Sequence, residues 1–276
     1  MTGFVEVADR MHVLRYPVLD VNVTLIVGDG AALLVDTLSG PGQARELADL
    51  VRGITPLPPA VVNTHQHFDH CFGNATLAQA GAGPFWAHQE TARILREPDE
   101  GARRELAAFY RETRPELATD IAAAEIMPPT RIVHQAATLD VGGRRVELRH
   151  LGRGHTAGDL VVLVPDADLV VAGDLVEEGA PPSFEESYPL EWPDTVAALI
   201  ALMSPDAVVV PGHGAPVGRA FVQTQHAQLS QLDWLIRDGH ADHASAEAVA
   251  ARAPFDPDVA LVAIRRGLAE LSGQYA

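Results

Sequence analysis

The run Thr64-His65-Gln66-His67-Phe68-Asp69-His70 sets four metal-capable side chains within six residues. Imidazoles and carboxylates at that density are costly to bury without a cation or hydrogen-bond partners. Both groups are zinc ligands, so metal chemistry is the first expectation. The apolar stretch Ala60-Val61-Val62 before the run reads as the end of a buried strand. If the extended backbone continues, His65, His67 and Asp69 share one face and His70 points elsewhere. Such a split divides the ligands between two neighbouring ions.

Three distant segments repeat the theme. Gly154-His155-Thr156-Ala157-Gly158-Asp159 precedes the apolar run Leu160 to Val164. Val170-Val171-Ala172-Gly173-Asp174 ends an apolar run on a carboxylate, and Val208-Val209-Val210-Pro211-Gly212-His213-Gly214 ends another on a histidine. Each candidate sits where a buried strand breaks into a glycine-rich turn, the place where rigid scaffolds carry chemistry. Glycine there lets the backbone pass close to an ion. Together the segments supply His65, His67, His70, His155, His213, Asp69 and Asp174.

With these motifs the chain resembles the metallo-β-lactamase superfamily in its dinuclear hydrolase form, from about Val21 to about His213. The resemblance implies an α/β fold of the four-layer αββα type, with the metals at one edge of two sheets. It assigns His65, His67 and His155 to a first metal and Asp69, His70 and His213 to a second, with Asp174 bridging. Asp36, closing Ala32-Leu33-Leu34-Val35-Asp36, matches the family's early aspartate and supports the site from behind. Thr156 to Asp159 matches the family's His-Thr-x-Gly-Asp turn, so Thr156 and Asp159 support His155. The implied cofactors are two Zn²⁺; iron and manganese accept similar donors. A water held between two ions about 3.5–4 Å apart ionises near pH 7 and is the expected nucleophile, oriented by Asp69. The expected reaction is hydrolysis of an ester, lactone, thioester or amide-type bond of a small molecule. The alternatives are lactam hydrolysis and an iron-dependent oxidation of the persulfide-dioxygenase kind. A complete second ligand set argues against the mononuclear iron enzymes.

Composition narrows the setting. The chain has 276 residues, a net charge of −17 and no lysine, all 20 basic residues being arginine. Acidity of that size disfavours a nucleic-acid partner and adhesion to anionic membranes. The lysine clamps that some family members use on drug carboxylates or glutathione thioesters are therefore missing, although arginine also pairs with carboxylates. Cys71 is the single cysteine, which suits a reducing compartment, and packing is its expected role. With no signal-like leader and no apolar run long enough to span a bilayer, the expected location is the cytoplasm.

The elements that must position these residues follow from pattern. Strands are expected at Phe4–Val7, Met11–Leu14, Val21–Val27, Ala32–Asp36, Phe85–His88, Thr138–Val141, Arg144–His150, Leu160–Val164, Leu169–Ala172 and Ala207–Val210. Helices are expected from Pro41, over Asn74–Ala80 with Asn74 as its cap, and over Thr195–Met203. Gln89 to Ala124 reads as a helical insertion broken at Pro98 and Pro115. After His213 the pattern is helical only, with candidates at Val217–Arg237, Ser245–Arg252 and Asp258–Leu271; this tail packs on the sandwich or offers a homodimer face. No linker divides residues 1–276, so one domain is expected. The insertion and the loop Glu177–Trp192 are the expected substrate-shaping parts. Phe184, Tyr188 and Trp192 are the candidate substrate-binding residues, with Tyr188 a candidate donor to an oxyanion. Arg153 is expected outside the pocket.

Overall fold

A computed structural model describes residues 3–273. Its first half runs β1 (Val5–Ala8), β2 (Met11–Tyr16), β3 (Val21–Val27), β4 (Ala32–Val35), α1 (Pro41–Ile54), β5 (Ala60–Val62), α2 (Phe68–Cys71), α3 (Asn74–Gln79), β6 (Phe85–His88), α4 (Gln89–Arg96), α5 (Glu100–Tyr110), α6 (Pro115–Ala123) and β7 (Arg131–Val133). The second half runs β8 (Ala136–Val141), β9 (Arg144–Arg149), β10 (Val161–Val164), β11 (Leu169–Glu177), α7 (Trp192–Leu202), β12 (Val208–His213), β13 (Val217–Gly218), α8 (Arg219–Ala241), α9 (Ala246–Ala250) and α10 (Pro257–Leu271).

The central strands are apolar at nearly every position because both of their faces are covered. Side chains alternate across a strand, and the packing follows that period. Ile26, Leu33, Val35 and Val62 turn inward and meet Val146, Leu148, Val162, Val164, Val171 and Val210 of the opposing sheet. Leu25, Leu34 and Val61 turn outward onto Ala44, Leu47, Ala48 and Val51, the buried stripe of α1. On the far side Val161, Leu163, Val170 and Val209 pack on Val196 and Leu199 of α7 and on Leu229, Leu232 and Ile236 of α8. The result is the four-layer αββα sandwich.

The first sheet is ordered β7-β6-β5-β4-β3, with β2 and β1 continuing beyond β3; the second is ordered β12-β11-β10-β9-β8. They join through one antiparallel pair, Val21 of β3 against His213 of β12. A candidate metal ligand thus sits at the seam between the sheets.

The helical insertion divides at Pro98 and Pro115 into α4, α5 and α6, since proline cannot donate the backbone bond a continuing helix needs. The tail helices contribute Val222, Val249, Ala260, Ala263 and Ile264 to the same core cluster as β11 and α7. Short elements carry no periodic signal: α2 is one turn, β7 has three residues, and β13 takes Val217 and Gly218 from the helix expected at Val217–Arg237, which starts instead at Arg219 and runs to Ala241. Several boundaries also shift, two of them beside the site. β11 runs on to Glu177, and α7 begins at Trp192 with Pro193 in its first turn. Among the described residues no helix is long and apolar enough to cross a membrane.

Candidate metal centre

The extended backbone does not continue through the histidine run. β5 stops at Val62, and His67 precedes the single turn of α2. His65 and His67 therefore leave from a loop, whereas Asp69 and His70 leave from a helical turn that redirects them. The simple strand expectation, with Asp69 beside His65 and His67, fails for this reason. The observed grouping is His65, His67, His155 and Asp174 in one cluster and Asp69, His70 and His213 in the other, each with its donor atoms within 4.8 Å of one another.

The remaining donors come from strands β11 and β12 and from the loop that enters β10. His155 lies in the loop between β9 and β10, and His213 closes β12. Asp174 lies within β11 at an irregularity in its pairing, next to Gly173 at φ +55°. A side chain at Gly212 would place its Cβ 1.7 Å from Asp174 Oδ1, so only glycine lets β12 pass this carboxylate.

Asp174 is the hub. Its Oδ2 lies 3.3 Å from His155 Nε2, 3.3 Å from His213 Nε2 and 3.6 Å from His65 Nε2; its Oδ1 lies 3.1 Å from His70 Nε2. His67 Nδ1 is 2.8 Å from His155 Nε2, and Asp69 Oδ2 is 3.5 Å from His213 Nε2. Donors about 2.0–2.2 Å from a tetrahedral ion stand about 3.3–3.6 Å apart, close to most of these spacings. His65 Nε2 and Asp174 Oδ1 are buried without a hydrogen-bond partner. Leaving such atoms unpaired costs about 1–3 kcal/mol each. Two orphaned donors facing a nest of other donors are what cation binding would satisfy, so the residues fit a dinuclear centre.

Outer contacts decide which ring nitrogen faces inward. His70 Nδ1 meets Asp36 Oδ2 at 2.8 Å, His213 Nδ1 meets the Leu19 carbonyl at 2.8 Å, His155 Nδ1 meets the Ser183 carbonyl at 3.3 Å and His65 Nδ1 meets Thr64 Oγ1 at 3.0 Å. All four present Nε2. His67 is the reverse: its Nε2 meets Glu186 Oε2 at 3.3 Å, and Nδ1 turns inward. Asp36, itself at φ +68°, also accepts from the backbone N–H and hydroxyl of Thr64. Asp159 accepts the Thr156 hydroxyl at 2.6 Å and the Thr156 N–H, which locks the turn behind His155.

Charge is unevenly shared among these groups when no cation is present. Burial drives His155 down to about 3, against the pull of Asp174. Burial also lowers His213, but Asp174 and Asp69 outweigh it and lift that ring to about 10. Burial would raise Asp174, yet His70, His213, His65 and His155 hold it well below the usual carboxylate range. Burial raises Asp159 to about 7. A metal replaces the protons such a site would otherwise hold, so binding and protonation are linked.

Residues 16–213 match the family described as the Metallo-beta-lactamase superfamily. The chain belongs to that superfamily. Among its relatives are an uncharacterised protein of Mycobacterium leprae (strain TN), 30% identical over 193 residues that cover 66% of this chain and 80% of that one. A probable metallo-hydrolase of Bacillus subtilis (strain 168) is 25% identical over 167 residues, 60% of this chain and 71% of that one. Among solved structures, a metallo-beta-lactamase from Pontibacter korlensis superposes with a TM-score of 0.66 at 20% identity, covering 83% of this chain and 99% of that one. A sec-alkylsulfatase from Pseudomonas sp. superposes with a TM-score of 0.74 at 18% identity, covering 100% of this chain and 51% of that one. These structural likenesses speak for the metallo-beta-lactamase fold.

The superfamily's seven donor positions converge here, and Asp36, Thr156 and Asp159 stand behind them. Other expected residues fall elsewhere. Phe184 and Trp192 are enclosed in the core, with ring centroids 5.4 Å apart. Trp192 sets its edge against His155 at 5.7 Å and donates its indole N–H to the Leu175 carbonyl. Neither offers a face to a substrate; Trp192 backs His155 and Phe184 packs against Trp192, because the loop's apolar rings follow the core and not the solvent. The Tyr188 ring lies under the Arg153 guanidinium at 4.2 Å, and Arg153 pairs with Glu191. Asn74 does not cap α3; its side chain is buried and bonds Asn63, Thr37 and the Met127 carbonyl. Cys71 donates its thiol to the carbonyls of Gln66 and His67 and lies outside both clusters. Pro181 and Pro182 face a cavity of about 370 Å³ shared with Phe221 and Phe255, lined by none of the seven donors. Glu186 was visible in sequence only as one of several loop acids, since its partner lies 119 residues away.

Proposed function

We propose that the chain is a zinc-dependent hydrolase that cleaves an ester, lactone, thioester or amide-type bond of a small molecule. The observation that carries this reading is the convergence of two donor clusters on one buried carboxylate, Asp174, with His65 Nε2 and Asp174 Oδ1 left for a cation. Imidazole and carboxylate donors in four-coordinate spacing favour zinc. When bound, a two-metal centre supplies an activated water and charge stabilisation for the reacting carbonyl and leaving group.

The chain's own residues do the rest. Asp69 orients the attacking water with one carboxylate oxygen while Oδ2 faces His213. The exposed ligands are His67, at 25%, and His213, at 17%, so substrate approaches from their side. Phe68 and Tyr110 shape that approach, their rings 6.0 Å apart where the insertion meets the site. Burial raises the Tyr110 hydroxyl, helped by the charge of Asp69, which keeps it protonated as a donor. The net charge of −17 favours a small-molecule substrate over nucleic acid or an anionic membrane. The single cysteine favours the cytoplasm.

Elemental analysis paired with a panel of chromogenic esters, lactones, thioesters and β-lactams tests the reading. Two zinc equivalents per chain are expected, with turnover lost on chelation, restored by zinc and abolished in His67→Ala. Full turnover in metal-depleted protein or in His67→Ala would sink it. One iron per chain would redirect it to oxidation chemistry.

A further inference from the structure

His67 differs from the other four histidines of the centre. Their distal nitrogens are held by buried groups or main-chain carbonyls. His67 alone relies on a side chain from the loop between β11 and α7, and that side chain, Glu186, is 59% exposed. His67 sits at the junction of a loop and a single-turn helix; its ring otherwise meets only the histidines His65 and His155 of its own cluster among the described ring contacts and hydrogen bonds, so Glu186 is its outer partner.

The loop is in turn fastened from both sides of Glu186. Phe184 anchors it in the core against Trp192 and Phe255, and Ser187 donates its hydroxyl to the Phe184 carbonyl. Arg266 of α10 donates to the carbonyls of Glu185 at 2.6 Å and Ser187 at 2.7 Å, the two residues flanking Glu186. The same carboxylate oxygen that meets His67 also accepts from Gln66 Nε2 at 3.1 Å. This clamp originates outside residues 16–213, the part matched to the superfamily.

We propose that Glu186 is a positioning residue for the first metal, turning His67 so that Nδ1 faces the ion, and that Arg266 of the C-terminal helix holds the loop in the posture that allows it. A carboxylate accepting from the outer nitrogen of a ligating imidazole fixes its orientation and raises its basicity, and losing such a partner costs about 10–100-fold in metal affinity. The inference rests on the reading of the seven donors as a two-metal site.

The test is zinc competition against a chromophoric chelator on the full chain, with the melting temperature of the metal-free protein read alongside. Glu186→Ala is expected to weaken one of two zinc sites by about 10–100-fold and leave the other unchanged. Glu186→Gln, which keeps an acceptor without the charge, recovers part of that loss. Arg266→Ala weakens the same site by less. The metal-free melting temperature of Glu186→Ala stays at the wild-type value, because the side chain is exposed. Wild-type affinity at both sites in Glu186→Ala overturns the inference. Equal weakening of both sites with a lowered metal-free melting temperature also overturns it, by making the role structural. If the unaltered chain takes up no zinc, the two-metal reading itself fails, and the variants are then not at issue.

Discussion

The two halves of the metal centre are built differently. The Asp69–His70–His213 cluster is braced by the core: Asp36, 2% exposed, holds His70, and Thr37 and Asn63 both donate to the His70 carbonyl. The His65–His67–His155 cluster is braced by a loop, through the Ser183 carbonyl and the exposed Glu186. One half is set when the first sheet packs with its helices and pairs with β12, which brings in His213. The other waits on a 14-residue segment, 178–191, pinned by the C-terminal helices. Stability and metal affinity should therefore separate: changes behind His70 disturb both, whereas changes in the loop disturb affinity alone.

The largest effect is expected where the halves meet. Asp174→Ala removes the carboxylate that touches histidines of both clusters, so both metals are lost and turnover falls on the order of 10³-fold or more, about 4 kcal/mol of transition-state stabilisation. Metal analysis that still finds two equivalents would show that the halves do not share a hub.

Asp36→Ala strikes the core-braced half. It strips acceptors from His70 and Thr64, and breaking such a buried polar pair costs about 3–5 kcal/mol. Urea denaturation of the metal-free protein should show that loss, and zinc competition should show weakening at one site. Loss confined to affinity, with stability intact, would erase the contrast with Glu186.

The smallest effect is a pH dependence beneath the loop-braced half. His88 stacks on His150 at 4.0 Å, and His150 Nδ1 faces the Asp159 carbonyl, under the turn that carries His155. Burial, and then the charge of His150, lower His88 to about 4. The unfolded chain therefore binds the extra proton first, so the neutral ring's contribution is complete above about pH 6.5 and drains away as pH falls toward 4. Between pH 7.5 and 5 the change is about 2 kcal/mol. Asp159 and Glu177, raised by burial to about 7 and about 8, push the other way in the same window. The measurement is accordingly the difference between the chain and His88→Asn, which keeps a capping acceptor for α4. A difference that does not move with pH would remove His88 from the account.

Much of the site was legible because each donor stands in a short motif beside an apolar run, where residue type and local spacing carry the message. Most strands and the breaks at Pro98 and Pro115 were legible for the same local reasons. Phe184 and Trp192 were misjudged because an aromatic in an acidic, proline-rich loop looks the same whether it faces a ligand or a core. Asn74 was misjudged because helix-start chemistry and a buried amide network both favour asparagine, and only the packed neighbours Asn63 and Thr37 separate them.

Residue type and spacing picked out the seven candidate donors and the apolar strands around them, and the family resemblance supplied their expected pairing. The tertiary structure decided that Asp69 sides with His70, that His67 presents Nδ1 while the others present Nε2, and that a loop acid and a C-terminal arginine stand behind one half of the centre. The reason is physical. A motif reports the local backbone, but the direction of a ring nitrogen is set by its outer partner, and here those partners arrive from 28 to 194 residues away for every histidine but His65.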